Sequence, residues 1–178
     1  PRPRMGDTRT VEHQLRTEGG TMPTTTSDIQ ISAPISSVYN QWTQFEDFPA
    51  FMSGVESIDQ IDDTTTHWTV KIAGIEREFD AVITEQNPDE RIAWKSTEGE
   101  DHAGVVTFHR IDDATTLVRL QLDWTPRGAI EHIGALLQVD DIEIGRDLKK
   151  FKELIESNGF ETGAWRGSVD RATDETGR

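Results

Sequence analysis

From Val55 onward the chain alternates apolar and polar residues with a period of two, the mark of strands that bury one face. Trp68, Val70 and Ile72 share one parity, as do Ile75, Phe79, Ala81 and Ile83, and again Val118, Leu120, Leu122 and Trp124. The intervening positions carry Glu76, Glu78 and Asp80, or Arg119, Gln121 and Asp123. The pattern predicts strands at Val55–Ile61, Thr65–Ala73, Ile75–Gln86, Arg91–Ser96, Gly104–Ile111 and Thr115–Thr125, with an earlier one at Ser27–Ser32. Polar turn sequences separate them, Asp62-Asp63, Gly74, Asn87–Glu90, Glu98–Asp101 and Asp112–Ala114, and they are short enough to make neighbouring strands antiparallel.

Three segments break the period of two. Pro34 opens a helix through Ile35, Val38, Tyr39 and Trp42, and a second short helical piece spans Phe45–Met52, with Pro49 limiting its regularity. Gly128–Asn158 reads as a long helix that stops at Asn158-Gly159. In its second half Ile144, Leu148, Phe151, Leu154 and Ile155 recur at spacings of three and four, with Arg146, Asp147, Lys149 and Lys150 on the other side. Its first half, with Ile130, Ile133, Leu136 and Leu137, is less regular, and Gly134 and Gly145 predict a bend or short break and are candidate hinges.

The order of strand, two short helices, six strands and long helix predicts an α+β fold. A curved six- to seven-stranded antiparallel sheet would wrap around the C-terminal helix. Residues 1–26, rich in Arg, Thr, Gly and Pro, read as a mobile arm in which Met22 is a candidate translation start. Residues 27–158 read as one domain. Residues 159–178 read as a tail, polar except for Ala164, Trp165 and Val169, that frays at its end.

Composition narrows the function. A formal net charge of -15 over 178 residues opposes binding to nucleic acid and to anionic membranes. No apolar run approaches the roughly 20 residues that span a bilayer, and the N-terminus has no apolar signal core, so no stable membrane insertion and a cytoplasmic location are expected. The chain has no cysteine, which removes disulfides and thiolate metal sites. Its five histidines include no pair at metal-ligand spacing, so neither a metal nor another cofactor is expected. No GxSxG elbow, phosphate loop or GxGxxG turn is present, which leaves nucleophilic hydrolysis, phosphoryl transfer and dinucleotide redox chemistry without support. The histidines are expected at the surface. His109 faces away from Phe108, His102 lies near a turn, and His132 lies near the helix start; His102 or His132 could act as a general acid or base only if it borders a cavity.

Three stretches carry a resemblance: IQISAPISSVYNQWTQFEDFPAFMSGVESI, GIEREFDAVITEQNPDERIAWKSTEG and GVVTFHRIDDATTLVRLQLDWTP. The Ala-Pro before the first helix, the DFPAFM helix and the RIAWKS strand are the most telling parts. Over residues 25–158 the chain resembles the START-like or Bet v 1-like helix-grip superfamily (SRPBCC), and within it the bacterial polyketide cyclase/dehydrase and lipid-transport group. The resemblance implies a sheet gripping the long helix, with an elongated apolar cavity between them that holds lipids, sterols, quinones or polyketide intermediates. It supplies no family-wide catalytic motif. The ending ETGAWRG, Glu161–Gly167, looks like one that recurs in a bacterial subgroup.

Placed in such a cavity, the inward parity makes Trp68, Trp94, Phe108 and Trp124 candidate aromatic walls, joined by Phe79. Ile133 and Leu137, on the first half of the long helix, would form the opposite wall or a lid. Arg77 shares the parity of Phe79, Ala81 and Ile83, where an unpaired charge is expensive, so it is a candidate anchor for a ligand carboxylate or enolate. Tyr39 and Trp42 could cap the cavity mouth. The expected function is binding of a small hydrophobic molecule, of lipid, isoprenoid, quinone or polyketide-like class. A polyketide aromatase/cyclase or dehydratase is the enzymatic alternative. A protein-interaction module in which the sheet or the C-terminal tail binds another protein is the third. An inward acid/base group would favour the enzyme, and a cavity under about 200 Å³ would count against both carrier and enzyme, since useful pockets hold roughly 300–1,000 Å³.

Overall fold

The alternating segments become strands β1 (Thr24–Ile31), β2 (Val55–Gln60), β3 (Thr65–Ile72), β4 (Ile75–Asn87), β5 (Arg91–Glu98), β6 (Asp101–Asp112) and β7 (Thr115–Thr125). The computed structural model describes residues 24–72, 74–98, 101–125, 133–158 and 161–169, with backbone alone at 72, 101, 124, 125, 133–142 and 158. All seven strands join one antiparallel sheet in the order β1-β7-β6-β5-β4-β3-β2. Consecutive strands are neighbours from β2 to β7, as short turns require, and β1 closes the far edge by pairing with β7, Ile29 opposite Val118. Bulges on β2, β4 and β6 add local twist to the sheet.

Helix α1 (Ile35–Trp42) begins directly after Pro34, whose φ of -60° suits a helix entry, and a 3-10 turn follows at Phe45–Ala50. Helix α2 (Ile133–Asn158) lies against the inner face of the sheet and buries Ile144, Leu148, Phe151 and Ile155. This is the helix-grip arrangement that the element order predicts. The expected break in α2 is absent: it stays helical through Gly134 and Gly145. One glycine in a helix costs about 1 kcal/mol, less than the burial of a single large side chain returns. Residues 128–132, including His132, lie outside the described residues.

Two boundaries move, and the second matters for the site. Strand β1 starts at Thr24, so the segment expected to be a mobile arm supplies its first residues. Strand β6 starts at Asp101 rather than Gly104, which converts His102 from a turn residue into a strand residue. The inward parity of β6 therefore runs His102, Gly104, Val106, Phe108.

Residues 161–169 of the tail are packed in place, and the end of the tail, residues 170–178, lies outside the described residues. The packed part straps the outer side of α1 through polar contacts. Asn40 donates to Glu161 Oε1 at 2.9 Å, the Thr162 amide donates to Gln41 Oε1 at 2.9 Å, and the Trp165 amide donates to Thr43 Oγ1 at 3.0 Å. Arg166 donates to Asn40 Oδ1 at 2.7 Å and to Asp89 Oδ2 at 2.8 Å, with its guanidinium 5.5 Å from the centre of the Tyr39 ring. Val169 then pairs with Gln86 through two backbone hydrogen bonds of 2.8 and 2.9 Å.

Candidate ligand-binding cavity

The inner face carries its widest aromatics where β3, β4 and β5 run side by side. Cross-strand register sets Trp68 opposite Phe79 and Ile83 opposite Trp94, so same-face neighbours meet without any help from loops. Trp68 lies within 19° of parallel to both Phe79 and Trp94, with ring centroids 5.6 and 6.0 Å away. Its indole N–H donates to Thr66 Oγ1 at 2.8 Å, which fixes the ring plane. Trp94 depends on Gly104, directly across on β6: a Cβ there would lie 2.2 Å from Trp94 Cζ2, so only glycine leaves the indole its place.

These three rings form one wall of a cavity of about 100 Å³ between sheet and helix. Leu120 and Leu122 from β7 extend the floor, Met52 and Val55 close one side, and Ile144 and Asp147 face them from α2. A broader depression of about 570 Å³ lies across the outward residues Val82, Thr84, Ala93 and Val105, bordered by Val169. It is larger and Trp94 also borders it, but it lacks Trp68, Phe79 and a buried polar group, and the inner cavity is the better-built site.

Two polar residues sit on the inner wall. His102 is ringed by Phe79, Trp68 and Trp94 at centroid distances of 5.1, 5.6 and 6.3 Å. Burial among apolar rings disfavours the imidazolium and pushes its pKa down to about 4, so the ring is neutral at pH 7. The residue keeps partial accessibility, as expected for a group on a cavity wall. Its Nδ1 is sealed off and has no hydrogen-bond partner. Asp147 is only 8% exposed, and its Oδ1 accepts from the Ser53 amide at 3.1 Å and the Ser53 hydroxyl at 2.7 Å, while Lys150 donates to the same hydroxyl at 3.1 Å. This network ties α2 to the loop that carries Met52. On the outer face His67 behaves oppositely: its 2.6 Å contact with Asp80 raises its pKa.

Of the residues expected to line the site, Trp68, Phe79 and Trp94 do so. Phe108 is buried instead beneath α1, 5.3 Å from Tyr39 and 6.3 Å from Trp42, both of which are fully buried core rather than a cap on the mouth. Arg77 stands half-buried opposite Val70, on the expected face, but is not among the lining residues. Trp124 pairs with His102 across β6 and β7, and Ile133 and Leu137 lie in the first turns of α2; the side chains of all three fall outside the described set. His102 meets the condition set for it, a place on the cavity wall, whereas Asp147, expected on the polar side of the helix, lines the wall as well. Period-two counting backward from Phe108 through Gly104 reaches His102, and Asp147 lies three residues after Ile144 and four before Phe151, on the border of the buried stripe.

The model of the family described as polyketide cyclase / dehydrase and lipid transport matches residues 31–151. The chain belongs to this family. One relative of this family member, an uncharacterised 17.2 kDa protein of Streptomyces lincolnensis, is 53% identical over 142 residues, covering 79% of this chain and 95% of the relative. Solved structures share its fold at lower identity. A protein from Thermus thermophilus superposes with a TM-score of 0.66 at 22% identity over 76% of this chain and 99% of that one. The Zhui aromatase/cyclase from Streptomyces sp. R1128 gives 0.65 at 15% identity over 81% and 99%. A START superfamily protein of Mycobacterium smegmatis gives 0.60 at 12% identity over 76% and 95%. The family match ends at residue 151, so the strap at 161–169 lies beyond it. Among the described residues no helix of this polyketide cyclase / dehydrase and lipid transport family member is long and apolar enough to cross a membrane, and no group of three His, Asp or Glu could hold a metal ion.

Proposed function

We propose that this chain binds the flat apolar part of a small hydrophobic molecule, of lipid, isoprenoid, quinone or polyketide-like class, between its sheet and α2. The observation that carries the reading is the void beside Trp68, Phe79 and Trp94, on an inner face whose described apolar residues are otherwise closely packed. An apolar void of about 100 Å³ costs roughly 2 kcal/mol in lost contacts, and a ligand ring that fills it recovers that cost. The volume sets the scale. It is below the roughly 200 Å³ level at which enclosure of a whole carrier cargo or cyclase substrate becomes reasonable, while an apolar cavity of about 150 Å³ takes up benzene. At about 100 Å³ the void is smaller still, so it accepts at most one small ring or one branched segment of a ligand and not a whole cargo.

The catalytic alternative draws on His102 and Asp147, which share the cavity wall. A group that exchanges protons near neutral pH is the requirement. A histidine with a pKa of about 4 is a weak base at pH 7, and Asp147 already accepts two hydrogen bonds from Ser53, so both favour binding over proton transfer. For the interaction-module alternative, residues 161–169 engage α1 and β4 of their own chain, which leaves it with less support than binding in the cavity.

Native mass spectrometry and solvent extraction of the purified full chain test the proposal. The expected result is an apolar mass that co-purifies with the protein or, failing that, uptake of a benzene-sized hydrocarbon seen in the indole signals of Trp68 and Trp94. Both should vanish in Leu122→Trp, which fills the cavity. A protein that carries nothing and takes up no hydrocarbon would rule the reading out.

A further inference from the structure

The identity of the polar group on the ligand can be read from the two nitrogens of His102, an argument that rests on the cavity being the binding site. Nδ1 is sealed from solvent and from the cavity, and nothing donates to it or accepts from it. Nε2 is not among the sealed atoms, His102 lines the cavity, and among the described residues the ring makes no hydrogen bond. One of the two must carry the proton of the neutral imidazole. A buried N–H without an acceptor is rarer in proteins than an acceptor without a donor, so the proton belongs on Nε2. Trp94 Nε1 is sealed in the same way as Nδ1 and offers the cavity no competing donor. Trp68 Nε1 is committed to Thr66.

The charges around the cavity complete the argument. Among its described lining residues the sole charged type is Asp147, an acceptor, and there is no lysine or arginine. An anionic ligand head would find an acidic side chain and no counter-cation, whereas a hydrocarbon would leave the His102 N–H without an acceptor. We infer that His102 is a specificity residue that donates from Nε2 to an uncharged acceptor oxygen, and that the ligand inserts a neutral ring bearing a carbonyl rather than a carboxylate or a plain hydrocarbon. This reverses the polarity that an Arg77 anchor would impose. The stacked indoles favour a planar ring, and a conjugated carbonyl lies in the ring plane, where an edge-on donor can meet it.

Three single-ring probes separate the possibilities at pH 7: acetophenone, ethylbenzene and benzoate, titrated into the full chain with ring-¹⁵N-labelled histidine. Acetophenone should bind roughly threefold to tenfold more tightly than ethylbenzene and shift the His102 Nε2 resonance, with benzoate weakest. His102→Phe should bring acetophenone down to the affinity of ethylbenzene while ethylbenzene still binds. Equal binding of the two neutral probes by the wild type, tightest binding by benzoate, or an unmoved Nε2 resonance would each overturn the inference while leaving the cavity as a binding site. If none of the probes disturbs the indole signals of Trp68 and Trp94, the binding reading itself fails. The wild-type resonance decides the matter even if the variant does not fold.

Discussion

Beneath α1, Trp42 meets Phe151, Phe48 and Phe51 with ring centroids 5.0, 5.4 and 5.7 Å apart and planes crossed by 77°, 66° and 46°. Elsewhere on the same inner face Trp68, Phe79 and Trp94 lie within 19° of parallel at similar distances. Crossed rings plug one another's gaps, and Trp42, Phe48, Phe51 and Phe151 are at most 1% exposed. Parallel rings form a flat wall, and the space beyond the wall stays open. The same residue types thus make a sealed core in one place and a cavity wall in the other. Ring orientation separates them, and orientation is set locally by Gly104 under Trp94 and by Thr66 at the Trp68 indole.

The largest effect should come from breaking the sealed region. Trp42→Ala removes the ring around which the crossed cluster is built and should cost about 3–5 kcal/mol in denaturant unfolding. Trp68→Ala should cost distinctly less, because its ring already borders empty space and loses fewer contacts. Equal costs would mean that the cavity wall is as tightly held as the core, and the contrast between the two regions would collapse.

How much of this contrast is legible in the sequence depends on which residues are asked about. The strands and the buried stripe of α2 follow from periodicity, because one buried face imposes a regular spacing on Trp68, Val70, Phe79, Ala81 and Ile83, or on Ile144, Leu148, Phe151 and Ile155. His102 is hidden by its company: the acidic run Glu98–Asp101 reads as a loop, and extending β6 through it takes the pairing of His102 with Trp124 across the sheet. Asp147 has the right spacing for the buried stripe, but its charge argues for the polar side until Ser53, 94 residues away, supplies two donors. The strap is the least legible part. Its contacts join residues 40–47 to 161–166 through hydrogen bonds between polar side chains and backbone, and no periodicity encodes those.

The next effect is a pH dependence that belongs to the cavity region. His102 has its folded pKa near 4, below the roughly 6.5 of an unfolded chain, so between those values the unfolded state binds the additional proton. Stability from this group is complete above about pH 6.5 and is lost as the pH falls towards 4, by up to roughly 3 kcal/mol. Asp28 and Asp62, whose pKa values are lowered by Arg119 and by the Thr64 and Thr65 amides, add losses of the same sign at lower pH. His67 has the opposite sign: raised by Asp80, it stabilises on the acid side and loses that contribution as pH rises through its folded pKa. The variant His102→Phe isolates the inner histidine. Urea unfolding at pH 7 should change by no more than about 1 kcal/mol, since an apolar ring replaces a polar one with no partner, and the fall between pH 6.5 and 4.5 should become shallower than in the wild type. An unchanged slope would place His102 in contact with water rather than with the three aromatic rings.

The smallest effect concerns whether the sealed region needs its outer strap. Arg166 joins the tail to Asn40 and to Asp89, the latter at a turn residue with φ of 62°, and its guanidinium lies over Tyr39. The side chain is 41% exposed, so solvent weakens each charged contact and the sum should stay near 1 kcal/mol. Arg166→Ala should therefore lower unfolding stability by about that amount. Hydrogen exchange should quicken in α1 and at residues 161–169, where the strap holds the chain, and not in β3 and β5, which carry the cavity wall. Faster exchange in β3 and β5 as well would mean that the strap sets the position of both regions, and that the sealed core and the cavity wall move as one body.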